Sequence, residues 1–248
     1  MKKHYDKFIN DALKANKELR FYIKNKLTED DFMDTNTIGE GGDSTKKIDL
    51  IAENIFVKYL SKFGDIFSEE SGLITHNKMS KHKSNRYLFD NSVIIIDPLD
   101  GSDNFVAKFP YYGTSISLCV NNITVAALVY NLVDGKYVVK TPYAKNIFHS
   151  MCINTNFGIF ERAYTAPNIA LELHKQNIKF RSPGATALSL ANSINYQFFL
   201  FAGRPRRFDV DAGIFISNEL NIYQNDNFLL VSKDKRIFDI IKDIIKRY

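Results

Sequence analysis

The stretch VIIIDPLDGSDNF, residues 93–105, runs from an unbroken apolar segment directly into three aspartates. Ile94, Ile95 and Ile96 read as the end of a buried strand, and Asp97, Asp100 and Asp103 follow at once. Like charges at such spacing repel, and burial raises the cost of keeping each carboxylate ionised. A positive partner is therefore expected at this turn.

The surrounding chain bounds what that partner serves. With 248 residues, 45% of them hydrophobic, the chain can build a substantial core, as one compact domain or as two closely packed lobes. The longest apolar runs, such as YQFFLFAG (196–203), fall far short of the roughly 20 residues of a spanning helix. The start MKKHYDKFINDALK has no signal-peptide core, so a cytoplasmic protein without a membrane partner is expected. Cys119 and Cys152 fit no disulfide framework and no zinc or redox spacing, and they read as two buried thiols. The net charge of +5 permits nucleic-acid binding, yet the lysines are scattered, and there is no Trp, basic tail or RNA-recognition signature. An anionic small molecule suits that charge better.

Apolar periodicity predicts a helix over 5–25, a loop over MDTNTIGEGGDSTKK (33–47), read as mobile, and a second helix carrying Ile48, Ile51, Ala52, Ile55, Phe56, Tyr59 and Leu60 on one side. Asp49, near its start, points elsewhere. Short β-rich runs follow: DIFSEES, RYLFDNSVIIID, TSISLCVNN, ITVAALVYNLV and KYVVKTP. In TSISLCVNN the apolar Ile116, Leu118 and Val120 alternate with Ser117 and Cys119, which suits an antiparallel sheet packed on one face. From about residue 146 the order changes to IKFRS and YQFFLFAG as strands, TALSLANSI and DAGIFISNEL as helices, NFLLVS as a strand, and a final helix with Ile237, Ile240, Ile241, Ile244 and Ile245. Two parts are expected: helices and an antiparallel sheet over 1–145, carrying most of the acids, and an α/β lobe over 146–248 that completes the site.

Other acids stand at predicted element ends, where functional groups are commonly mounted: Glu69 and Glu70 after DIFS, Asp49 at a helix start, and Asp209 in RRFDVDAG. A set of hard oxygen ligands with no His or Cys nearby suits Mg²⁺ or Mn²⁺ far better than zinc. Gly101 lets the backbone approach a ligand closely, and Ser102 can open a helix whose N–H groups face an anion. Taken singly, DG is a turn, SEES a solvated corner or cap, and Asp49 and Asp209 are helix caps. The full DPLDGSDNF string, with ordered acids before and after it, favours a phosphoryl-transfer site.

DPLDGSDNF resembles the inositol monophosphatase superfamily motif Asp-Pro-(Ile/Leu)-Asp-Gly-(Thr/Ser)-x-Asn-Phe, and SEES resembles the Glu-Glu element that precedes it. RRFDVDAGIFISNE resembles the later Trp-Asp-x-Ala element, and GDSTKKIDLIAE the corresponding loop and helix of archaeal members, so the resemblance covers about 39–219. It is nearest the archaeal dual inositol monophosphatase and fructose-1,6-bisphosphatase branch. The resemblance implies an α/β fold, a layered αβαβα sandwich, usually a homodimer, that hydrolyses phosphate monoesters with two or three Mg²⁺ ions. It places Glu69, Asp97 and the Leu99 carbonyl around one metal, and Asp97, Asp100 and Asp209 around a second. A third, weaker metal falls near Glu69 and the glycine-rich loop. The N–H groups of Gly101 and Ser102 receive the phosphate, and Asp49 with the Ser102 hydroxyl activates the attacking water. With no His placed for it, protonation of the leaving alkoxide is expected from metal-bound water. In FDVDAG either Asp209 or Asp211 fits the last ligand, the spacing to Glu219 favouring Asp209.

Arg204, Arg206 and Arg207 crowd Asp209, and Arg181 lies in RSPGATA, a segment resembling the family's Gly-Thr-Ala substrate wall. These guanidinium groups are expected to grip a second phosphate, with Ser182, Gly184, Ala185 and Thr186 shaping a sugar pocket. A solvated basic turn is the plain alternative. The leading expectation is a sugar-phosphate phosphatase acting on fructose-1,6-bisphosphate or inositol-1-phosphate. A bisphosphate nucleotidase is the second, and a non-catalytic RNA- or partner-binding protein on the same scaffold the third.

Overall fold

The computed structural model describes residues 1–75, 89, 91–146 and 156–248. Cys152 and most of the RYLFD segment lie outside the described residues. Helix α1 (Lys2–Asn25) buries Tyr5, Phe8, Ala12, Ala15 and Leu19 at helical spacing, as the periodicity predicts. Strands β1 (Asp34–Ile38) and β2 (Ser44–Lys46) then pair antiparallel. This hairpin replaces the expected mobile loop. Its strands are nearly all solvent-facing, so no apolar period announces them, and its turn is closed by backbone bonds from Gly39 to Asp43 and from Gly42 to Gly39.

Helix α2 (Lys47–Leu60) lies beside α1, and both cover one face of a seven-stranded sheet. Its strands are β3 (Asp65–Ser68), β4 (Gly72–Ile74), β5 (Ser92–Asp100), β6 (Gly113–Val120), β7 (Ile123–Asn131), β8 (Tyr137–Lys140) and β9 (Lys145–Asn146), in the order β4-β3-β5-β6-β7-β8-β9. A short helix α3 (Ser102–Val106) follows β5. The sheet is not wholly antiparallel: β3 runs parallel to β5, with Ser68 opposite Ile96. Nor is it open on one face. Ile116 and Leu118 pack toward α1 and α2, while Ser117 and Cys119 are buried on the opposite side.

The cover on that side comes from α5 (Thr186–Ala191) and α6 (Arg207–Ser217), reached after β10 (Gly158–Glu161), α4 (Pro167–Lys175) and β11 (Phe180–Arg181). Small residues let the helices come close. A Cβ at Gly113 would meet the Tyr130 carbonyl at 2.4 Å and Leu188 at 2.9 Å, and one at Gly213 would meet Leu190 Cγ at 2.4 Å. Strands β12 (Phe199–Ala202), β13 (Asn221–Gln224) and β14 (Phe228–Ser232) complete a five-stranded sheet in the order β11-β10-β12-β14-β13. Helix α7 (Lys235–Ile245) joins α4 on its outer face.

The YQFFLFAG segment shows how this sheet is sandwiched. Phe198 and Leu200 face α4 and α7, whereas Phe199 and Phe201 face Leu190 of α5 and Val210 of α6. All four are essentially inaccessible, so the segment is core. The layers are therefore α1 and α2, the seven-stranded sheet, α5 and α6, the five-stranded sheet, and α4 with α7: an αβαβα sandwich. Sequence periodicity missed β10, α4 and β13. Two of these are four-residue strands, and α4 buries only Ile169 and Leu173. Among the described residues no helix is long and apolar enough to cross a membrane.

Candidate metal centre

The acids of DPLDG are brought together by a break in strand pairing. Between Asp97 and Asp100 the β5–β6 register shifts, and the Asp97 carboxylate accepts the Leu99 N–H at 2.9 Å, which curls the strand end. Gly101 follows with φ +83°, a left-handed conformation, where a Cβ would sit 3.0 Å from Ala185 Cβ and 3.1 Å from the Tyr111 carbonyl. Glycine is required there for both reasons. Asn104 then donates to the carbonyls of Tyr111 and Pro183, each at 2.7 Å, tying α3 to the RSPGATA segment.

Glu69 reaches the same place because β3 is parallel to β5. Its N–H donates to the Ile96 carbonyl at 3.1 Å, one residue before Asp97. Asp209, in the first turn of α6, arrives from the opposite layer. Carboxylate oxygens of Glu69, Asp97 and Asp209 all lie within 4.8 Å of one another. Asp100 stands beside Asp209 but outside that trio, and its Oδ2 accepts the Leu188 N–H of α5 at 2.9 Å. Burial, followed by repulsion from Asp209, pushes Glu69 up to about 8. Burial and the neighbouring acids push Asp97 well above the usual carboxylate range, and burial lifts Asp100 to about 7. Asp211 is elsewhere: it pairs with Arg207 at 2.9 Å. Asp209 is thus the acid of FDVDAG that the cluster contains.

Asp49, at the third position of α2, accepts the Lys46 N–H on Oδ2 at 2.8 Å, while its buried Oδ1 has no partner among the described residues. Burial raises its carboxyl to about 6. A cavity of about 30 Å³ lies here, lined by Asp49, Glu69, Glu70, Leu99, Ser102 and the β1–β2 turn, enough for a water. Glu70, raised to about 7 by burial, accepts the Thr45 hydroxyl on its other side.

The cluster opens into a cleft of about 600 Å³ lined by Ser102, Ser182, Gly184, Thr186 and Asp209 among the expected residues, and by Asn104 besides. Ala185 is buried behind it. The expected arginines are mostly elsewhere. Arg181 lies over the Phe157 ring and donates to the Phe180 carbonyl, outside the cleft. Arg204 is exposed and does not line it. Arg207 turns to the far side of α6, toward Asp211 and Cys119. Arg206 does line the cleft, but its guanidinium is spent on Asp209, Glu69, Asp43 and the Gly41 carbonyl. The cleft has cations and rings that the sequence reading passed over. Lys46 Nζ lies 3.9 Å from the fully exposed Asp103, and Arg162 sits over the Phe201 ring at 5.7 Å with exposed Tyr164 nearby in the same lining. Buried Glu161 accepts the Gly184 N–H at 2.9 Å and the Ser189 hydroxyl at 2.6 Å, fixing the RSPGATA turn. Only their elements' positions could have revealed them, since β10 was not recognised.

Buried acids with raised pKa values, all-oxygen donors and an orphaned carboxylate oxygen fit a hard divalent cation. A separate cavity of about 440 Å³ between β7, β8 and α5, walled by Tyr111, Tyr137 and Tyr196, contains no such cluster.

An αβαβα sandwich with a buried carboxylate cluster at a strand–turn–helix junction, opening on a polar cleft, defines the class of protein. Consistent with it, the profile of the inositol monophosphatase family matches residues 4–222, and the chain belongs to that family. The fructose-1,6-bisphosphatase of Pyrococcus furiosus is 25% identical over 158 residues, covering 62% of this chain and 58% of that protein, less than two thirds of its length. The fructose-1,6-bisphosphatase/inositol-1-monophosphatase of Thermococcus kodakarensis is 26% identical over 186 residues, 72% of this chain and 68% of that protein. The Thermotoga maritima IMPase structure superposes with a TM-score of 0.72 at 18% identity, over 96% of this chain and 98% of that one, and it shares the fold.

Proposed function

We propose that the protein is a divalent-metal-dependent phosphatase of sugar phosphate monoesters, with Mg²⁺ as its ion and fructose-1,6-bisphosphate or inositol-1-phosphate as substrate. The observation that carries this reading is the Glu69–Asp97–Asp209 cluster, whose Asp209 lines the same cleft as Ser102, the residue after the Gly101 turn. Its two halves come from the two parts of the chain: residues 1–145 supply Asp49, Glu69, Asp97 and Asp100, and residues 146–248 supply Asp209. The same reading takes the protein as a cytoplasmic homodimer.

Glu69, Asp97 and the Leu99 carbonyl would hold one ion, and Asp97, Asp100 and Asp209 a second. Bound there, such ions supply electrophilic stabilisation of the charge developing on the phosphoryl group and make water acidic enough to attack near neutral pH. The chain's own groups do the rest. Gly101 and Ser102 present backbone N–H groups to the phosphate, and Lys46 adds a cation at the rim. Asp49, ionised above about pH 6, lines the small cavity with Ser102 and has an unpaired Oδ1, so it is the group that would accept the proton of an attacking water oriented there by the Ser102 hydroxyl. In place of the four arginines singled out by sequence, Arg162, held over Phe201, is the group suited to a second phosphate. Tyr164 offers its ring to the sugar.

The test is phosphate release by the purified protein, with Mg²⁺ and with chelator, from fructose-1,6-bisphosphate, inositol-1-phosphate and adenosine 3′,5′-bisphosphate in parallel. Release from the first two that chelation abolishes, and that Asp97→Asn abolishes in a folded protein, is expected. Faster release from the nucleotide would overturn the substrate class, and activity retained in Asp97→Asn would overturn the mechanism.

A further inference from the structure

Arg206 is the most heavily engaged cation of the site. Its Nε and Nη2 fork onto both oxygens of Asp209 at 2.9 and 3.1 Å, and Nη2 also meets Glu69 Oε1 at 2.9 Å. Its Nη1 donates to the Gly41 carbonyl at 2.6 Å and to Asp43 Oδ2 at 2.8 Å. All three guanidinium nitrogens are thus committed, two to acids of the cluster and one to the β1–β2 turn. The turn is fitted to this arrangement: a Cβ on Gly41 would stand 2.5 Å from Glu69 Oε1 and 2.8 Å from Arg206 Nη1.

Three carboxylates this close, two of them buried, repel one another when ionised and favour a positive charge nearby. The guanidinium provides it, but it does so by occupying the very oxygens that a divalent ion would take. An ion of charge +2 and the guanidinium compete for the lone pairs of both Asp209 oxygens, and they repel each other across the site. We infer that Arg206 is a built-in counter-cation that competes with the metal for Glu69 and Asp209 and that, while it holds them, it latches the β1–β2 turn over the site through Gly41 and Asp43. Metal loading then frees the guanidinium and, with it, the turn. This rests on the reading of the cluster as a metal centre.

The test is direct Mn²⁺ titration by calorimetry of chelator-stripped wild type, Arg206→Gln and Asp43→Asn, together with amide hydrogen exchange over residues 39–43 without and with Mn²⁺. Losing a charge-assisted contact set to two ligands should tighten Mn²⁺ binding in Arg206→Gln by about tenfold or more. Asp43→Asn, which loosens the turn but leaves the fork on Asp209, should change affinity far less. Exchange over 39–43 should be faster in metal-free Arg206→Gln than in metal-free wild type, and Mn²⁺ should accelerate it in wild type. Weaker or equal Mn²⁺ binding by Arg206→Gln, or slowing of wild-type exchange by Mn²⁺, overturns the inference. Should Arg206→Gln fail to fold, Arg206→Lys serves: one ammonium cannot span Asp209, Glu69 and the turn, so wild-type affinity and exchange in that variant would also overturn it. No Mn²⁺ binding by any of the proteins overturns the metal reading itself, and this inference with it.

Discussion

Asp49 is held against its own charge: burial raises its carboxyl to about 6, and one oxygen has no partner among the described residues. Because the folded-state pKa lies above the unfolded one, the folded protein binds this proton more tightly. Metal-free stability therefore falls as pH rises from about 4 to about 6, by an amount on the order of 2–3 kcal/mol. Asp49→Asn, whose side-chain oxygen can still accept the Lys46 N–H, should unfold at higher urea than wild type at pH 8 in chelator and match it near pH 4, while losing phosphatase activity. A variant no more stable than wild type at pH 8 would show that this carboxylate is not under that burden. Arg162 gives a second expectation. Arg162→Gln should raise KM for fructose-1,6-bisphosphate about tenfold and leave inositol-1-phosphate nearly unchanged, since only the bisphosphate has a second dianion to grip; parallel steady-state kinetics decide it. Asp97 and Asp100 were legible in sequence because their neighbours along the chain define the turn, and Glu69 because SEES resembles the family's Glu-Glu element. The arginines were not. Arg206 is three residues before Asp209 and shares its helix face, whereas Arg207 is four before Asp211 and shares the other, and that phase depends on where α6 begins.

Helices α5 and α6 are the elements that mount the site, since Asp100 bonds the start of one and Asp209 rides on the other. Their closeness depends on Gly213, whose absent Cβ would overlap Leu190. Alanine gains about 1 kcal/mol over glycine in helix propensity, but overpacking a tight core contact costs about 1–3 kcal/mol. Gly213→Ala should therefore lower stability in urea unfolding, and a variant equal to or more stable than wild type would show that the layers can part without cost. The β1–β2 hairpin was unreadable for the opposite reason. Its strands bury almost nothing, and what holds it is remote: Arg206 on Gly41 and Asp43, and Glu70 on Thr45.

At the scale of the whole molecule, the acidic cluster draws its carboxylates from the end of β3, from β5 and from α6, so cation binding there should stabilise the entire fold. A ligand at a hundred times its Kd adds about 2.7 kcal/mol, which for a chain of this size is roughly 5–10 °C in Tm. Thermal melts in Mg²⁺ against chelator should show that rise, and a Tm indifferent to millimolar Mg²⁺ would remove the metal from the account. The amino-acid sequence alone determined the strand–turn–helix at DPLDGSDNF and the oxygen-only donor set, because each follows from residue types and spacing within one local segment, while the layered α/β class came from the resemblance of motifs spread along the chain. The tertiary structure alone decided that β3 runs parallel to β5 and delivers Glu69 to Asp97, and that Arg206 holds the acids while Arg162 lines the cleft; it also seated Asp209, which the spacing to Glu219 favoured, in the cluster and Asp211 on Arg207. Those outcomes depend on sheet register and helix phase, which are set by packing between residues far apart in the chain.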